Sequence, residues 1–104
     1  MTSEKWQKLS KTEQILNIGA EFSRAKNWIQ KNDEEYAISS LERAFELLDL
    51  TIDDKKWRRG LRELLRFREV LAEFYLEKKK NNEEFVKIFK TLLFFNKFSS
   101  QVKI

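Results

Sequence analysis

"SKTEQILNIGAEFSRAKNWIQKNDEEYAISSLERAFELL", residues 10–48, contains no proline and a single glycine, and its apolar residues recur every three or four positions. A 3.6-residue period puts Ile15, Ile18, Phe22, Ala25 and Ile29 on one stripe, with Trp28 at its edge. Ser10 followed three residues on by Glu13 is a capping box, so a helix is expected over 11–31. "KNDEE" then supplies a stop and a start together. Asn32 suits a helix C-terminus, Asp33 can cap, and Glu34 and Glu35 oppose the positive end of a new helix dipole. The second helix, 34–50, turns Ala37, Leu41, Ala44, Phe45 and Leu48 inward, with Tyr36 and Leu47 widening the stripe. Amphipathic helices joined by so short a connection lie antiparallel.

Working outward, Thr51 or Asp53 is expected to cap a third helix over 54–79. Its stripe is Trp57, Leu61, Leu64, Leu65, Leu71, Ala72 and Tyr75, with Phe67 and Phe74 flanking. "KKKNNEE", residues 78–84, breaks that helix and opens a fourth over 83–98. Trp6 and Leu9 precede the first helix and are expected to cover one end. The reading is all-α: a single domain, 1–104, folded as an up-and-down four-helix bundle with short loops.

Composition narrows the chemistry. The chain has no histidine and no cysteine. That removes the commonest metal ligand, thiol nucleophiles, disulfides and histidine-containing triads. No cofactor and no metal is expected, and no catalytic constellation stands out. The N-terminus has no long apolar run after its lysines, and the most apolar window, 85–98, is interrupted by lysines and too short to span a bilayer. The expectation is a cytoplasmic protein without integral membrane association.

The net charge of +4 conceals a segregation: residues 33–54 carry eight acidic side chains and one basic, residues 55–68 seven basic and one acidic. Arg58, Arg59, Arg62 and Arg66 form a candidate nucleic-acid-binding face, because a guanidinium offers a fork to phosphate oxygens. The competing account is an outer face whose charges pair with nearby acids. Arg68 differs, since 100° per residue places it inside the apolar stripe of the third helix. A charge there needs a partner, and Glu21, beside the stripe of the first helix with Arg24 one turn along, is the candidate for a buried ion pair or pocket.

In the fourth helix Phe85, Ile88, Phe89, Leu92 and Phe95 or Phe98 share one side, while Val86, Leu93 and Phe94 point elsewhere. A helix apolar on several sides is covered by its own chain or by something else. Phe85, Phe89, Leu92 and Phe95 are therefore candidate interface residues, for a homodimer or another protein. Lys87, Lys90 and Lys97 also allow a membrane-surface reading.

Three family resemblances bear on function. The acids Glu34, Glu35, Glu42, Glu46 and Asp49 in "DEEYAISSLERAFELLD" are similar in kind to the magnesium-binding motifs of all-α nucleoside triphosphate pyrophosphatases of the MazG type. All five lie on one expected helix, whereas that family brings its two motifs together from separate helices. Size and architecture resemble HEPN-type bundles, but this chain lacks the histidine of their ribonuclease centre. "KTEQILNIGAEFSRAKNW", "LERAFELLDLTIDD" and "LRELLRFREVL" resemble a family of small uncharacterised bacterial helical proteins over about residues 10–75, which implies bacterial origin and a helical domain but no activity. The expectation is a non-enzymatic protein–protein interaction or self-association module. The alternative is a nucleic-acid-binding bundle using the basic face of 55–66, and a magnesium-dependent pyrophosphatase is the remote one.

Overall fold

The computed structural model describes the backbone of residues 1–102 and the side chains of residues 1–96. Five α-helices follow one another: α1 (Ser3–Gln7), α2 (Lys11–Gln30), α3 (Glu34–Ile52), α4 (Leu61–Leu76) and α5 (Asn82–Val102). A 3-10 helix, Lys55–Gly60, leads directly into α4. Among the described residues there is no strand, and no helix is long and apolar enough to cross a membrane.

Helices α2 to α5 form an all-α bundle in which α2 packs on α3 and α5, and α4 closes against α3 and α5. Cross-contacts give the directions. Trp28 stacks on Tyr36 while Glu21 meets Arg43, so α2 and α3 run antiparallel. Tyr75 reaches Glu42 and Arg68 reaches Asp49, which reverses α4 against α3. Phe67 meets Phe95 and Phe74 meets Phe85, so α5 reverses again.

The α2–α3 hairpin is built as its sequence dictates. The Ser10 hydroxyl accepts from the Glu13 N–H at 3.1 Å and the Glu13 carboxylate accepts from the Ser10 N–H at 3.0 Å, completing the capping box. The hydrogen bonds from the Ser10 backbone and hydroxyl hold the Glu13 carboxyl below its usual range. Asn32 sits at φ 58°, the left-handed turn that asparagine tolerates. Asp33 then accepts from the Tyr36 N–H. Ile15, Ile18, Phe22, Ala25, Ala37, Leu41, Ala44 and Leu48 are all buried. Phe22 lies at the centre, with the rings of Phe85, Phe89 and Phe67 at 5.2, 5.5 and 6.0 Å. Full burial of one such ring contributes about 1.5–3 kcal/mol relative to exposure.

The third segment departs from expectation in three ways. It is not one helix over 54–79, because α3 runs on through Thr51 to Ile52 and Asp54 starts the 3-10 helix by accepting from the Lys56 N–H. Its end comes early, at Leu76. Three successive lysines offer no mutual pairing there, and Lys80 instead folds back, its ammonium donating to the carbonyls of Tyr75 (2.7 Å) and Glu77. Its buried face is also rotated. Leu64, Phe67, Leu71 and Phe74 are buried, whereas Leu65 is 47% exposed and Leu61, Ala72 and Tyr75 are half-buried. The aromatic rings of α5 pack on that side of α4 and draw Phe67 and Phe74 into the centre.

Candidate functional site

Two arrangements stand out: a polar cluster at one end of the bundle, and a groove beside it. In the cluster, the buried Gln14 amide donates to the Trp6 carbonyl and to Asp54 Oδ2, both at 2.9 Å, and its carbonyl accepts from the Trp57 indole at 2.7 Å. The Trp6 indole donates to the Thr51 hydroxyl at 3.0 Å, which donates in turn to the Leu47 carbonyl. Lys56 Nζ closes the arrangement with bonds to the Gln7 carbonyl (2.7 Å), the Leu9 carbonyl (2.8 Å) and Asp54 Oδ2 (2.8 Å). Burial alone pushes the Asp54 carboxyl up, but the hydrogen bonds from Lys56 and Gln14, with the Lys56 charge, outweigh it and hold the group below its usual range. Every donor found its acceptor, so the cluster is a clasp fixing residues 1–9 to the α3–α4 junction.

This clasp was hidden in the basic run. Lys56 is one of the charges of "KKWRRG", yet it serves α1 and the turn after it. Gln14 gave a signal: it falls on the inner stripe of α2, one turn before Ile18, and an amide there needs buried partners. Which partners it takes depends on a chain segment some forty residues away.

The groove runs between the 3-10 helix and α4 on one side and α5 on the other, with a volume of about 910 Å³. Trp57, Phe67, Ile88 and Phe95 form its apolar floor, and Val70 and Phe94, 43% and 62% exposed, stand at its mouth. Lys11, Arg59, Arg66, Lys87 and Lys90 surround it with one acid, Glu63. The groove exists because α5 packs along α2 far more closely than along α4. On the α4 side Arg59, Glu63, Arg66 and Val70 follow one another at helical spacing, and the charged heads of three of them stay in water rather than entering the seam.

The four arginines expected on one face are thus divided. Arg59 and Arg66 line the groove, while Arg58 and Arg62 are exposed and do not. Arg59, Glu63, Arg66 and Val70 make up the row that borders α5, and Arg62, although a turn from Arg66, lies on the flank of that row away from the groove.

Arg68 and Glu21 do not form the expected pair. Arg68 Nε donates to Asp49 Oδ1 at 2.7 Å, and its guanidinium lies 5.1 Å from the centre of the Phe45 ring. The rotation of α4 that buries Phe67 and Phe74 moves Arg68 from the middle of the stripe to its α3 edge, where its side chain is 38% exposed. Glu21 is buried and held by Arg24 on its own helix and by Arg43 of α3, whose Nε is 3.6 Å away.

Phe85, Phe89, Leu92 and Phe95, expected as an interface, face inward instead. Phe85 and Leu92 are fully buried, and Phe89 and Phe95 are half-buried against Phe22, Trp57 and Phe67. The aromatic side chains of α2 and α4 cover most of that side of α5 and leave Ile88 and Phe95 bordering the groove. Leu93 and Phe94 carry its outward apolar surface. Lys97 and Phe98 lie outside the described side chains.

The acids of α3 spread along the helix rather than converging. Glu42 accepts from the Tyr75 hydroxyl at 3.1 Å, which pushes the phenol up, and Asp49 is occupied by Arg68. Among the described residues no group of three or more acidic side chains is arranged to hold a metal ion. Comparison of the chain with protein-family models, curated proteins and solved structures finds no match.

Proposed function

We propose that the protein is a non-catalytic interaction module that receives a helix of a partner protein in the groove between α4 and α5. The observation that carries this reading is an apolar floor open along the seam of two antiparallel helices. Such a seam presents parallel ridges spaced to accept a third helix, the recurring helix-in-groove mode of recognition. From Arg59 in the 3-10 helix to Val70 on α4 the wall extends roughly 17 Å at about 1.5 Å per residue, room for three turns. Of the residues behind the homodimer reading, Phe85 and Leu92 lie inside the subunit, while Phe95 borders the groove, which is the apolar surface we take a partner to use.

The test is selection of binders from a library of helical peptides displayed against the full chain. Sequences with apolar anchors at i, i+3 or i+4 and i+7 should be enriched, and Val70→Asp should abolish their binding. Absence of any anchored helix, or binding unaffected by Val70→Asp, would refute the proposal.

A second reading is favoured by the five cations around the same groove, which could follow a nucleic-acid backbone. Titration of labelled RNA and DNA at low and moderate salt decides it. Absence of binding at low salt removes this reading, and binding with a steep salt dependence promotes it.

A further inference from the structure

We infer that the occupant of the groove is acidic: an amphipathic helix of about three turns whose apolar stripe is flanked on both sides by Asp or Glu. The inference rests on the helix-docking reading above and adds the chemistry of the partner.

Among the described residues, none of the five groove cations is in an ion pair. The four ion pairs join Glu21 to Arg24 and Arg43, Asp54 to Lys56 and Asp49 to Arg68, all elsewhere. Glu63 is the single acid among the five, so the groove holds a local excess of positive charge within a chain whose net charge is only +4. The cations also stand on both walls, Arg59 on the 3-10 helix and Arg66 on α4 facing Lys87 and Lys90 along α5. A helix lying on the apolar floor turns both its flanks toward them. Complementary flanks are therefore carboxylates, which speed encounter and exclude neutral or basic competitors.

Other occupants fit less well. A single nucleic-acid strand needs successive aromatic faces for its bases, but Trp57 and Phe67 are buried, each with Phe95 packed edge-on at 6.1 and 5.8 Å, which leaves Phe94 at the mouth as the exposed ring of the lining. A second copy of this chain would offer the acidic face of α3. The stripe of that helix, Ala37, Leu41, Ala44 and Leu48, is buried in its own core and cannot reach the floor.

The experiment uses the full chain and fluorescein-labelled peptides of about 15 residues, near the shortest length at which an isolated helix forms. All share one leucine stripe and differ only in their flanks: Glu, the isosteric Gln, or Lys. Fluorescence anisotropy is read at low and moderate salt, for the native chain and for Arg66→Glu/Lys90→Glu. Both changes are at exposed positions, and circular dichroism checks that the variant remains folded. The Glu-flanked peptide should bind at least about tenfold tighter than the Gln-flanked one, mainly through faster association. Added salt should narrow that ratio, and the double variant should abolish it and favour the Lys-flanked peptide.

Equal affinity for Glu and Gln flanks would overturn the acidic partner while leaving helix docking in place. Failure of all three peptides would overturn both. The inference also falls if a single-stranded oligonucleotide binds where the peptides do not and loses affinity in the double variant. It falls equally if sedimentation reveals self-association that Val70→Asp abolishes, because the occupant is then a second copy.

Discussion

Replacing Gln14 by leucine tests the clasp at its hub. Leucine approximates the volume of glutamine but removes three hydrogen bonds, to the Trp6 carbonyl, Asp54 and the Trp57 indole. These losses are unequal. The Trp6 carbonyl still accepts from the Leu9 N–H at 3.1 Å, and Asp54 Oδ2 keeps the Lys56 ammonium at 2.8 Å. The Trp57 indole N–H is left buried without an acceptor, which costs about 1–3 kcal/mol, and the weakened acceptors add about 1 kcal/mol. The expected loss is therefore about 2–4 kcal/mol, or roughly 10–20 °C in Tm for a domain of this size. Urea unfolding followed by circular dichroism measures it. The decisive comparison is a cycle with Trp57→Phe, which removes the orphaned donor in advance. Gln14→Leu should cost at least about 1 kcal/mol less in that background, since an apolar pair strands no polar group. Additive effects of the two changes, or a neutral Gln14→Leu, would refute the account of Gln14 as the hub.

Other outcomes follow from single sites. Gly19→Ala should stabilise by about 0.5–1 kcal/mol in the same assay. The added methyl would meet Phe89 and Leu93 at 3.7 and 3.9 Å, ordinary contact, and a loss of stability would mean the α2–α5 seam is tighter than described. Asp54, held below its usual range when folded, stabilises the native state above the ordinary carboxylate pKa of about 3.9, and that contribution is lost as pH falls through the lower folded value. The stability gap between the native chain and Asp54→Asn should therefore shrink on acidification below about pH 4; a gap constant from pH 6 to the acid transition contradicts this. Arg68→Met should change stability by no more than about 1 kcal/mol, because its pair with Asp49 is solvent-screened and methionine keeps the contact with Phe45. A much larger loss would return Arg68 to the interior role its spacing suggested.

The hairpin of α2 and α3 was legible because its signals are local: a capping box, an asparagine turn and an apolar stripe all lie within one contiguous segment. The face of α4 was not. Phe67 and Phe74 flank the stripe by periodicity, and only the position of α5, a tertiary fact, decides that they outrank Leu65 for the core. The same rotation explains Arg68. The sense of the basic stretch was also only partly readable. Helical spacing puts Arg59, Arg62 and Arg66 on one broad face, and which of them border a groove depends on α5 keeping to α2. Lys56 could not be told from its neighbours, since its acceptors are backbone carbonyls of residues 7 and 9 and carry no sequence identity.

Trp57 belongs to both the clasp and the groove. Its indole N–H is tied to Gln14, its ring borders the groove, and Lys11 Nζ lies 5.1 Å from its centre. The other two tryptophans sit elsewhere: Trp6 is enclosed against Thr51, and Trp28 stacks on Tyr36 near the α2–α3 turn. An occupant that draws Lys11 off the ring changes the electric field on one indole of three. The chain thus carries its own optical reporter of occupancy, and removing Trp28 would raise its contrast without touching either the clasp or the groove.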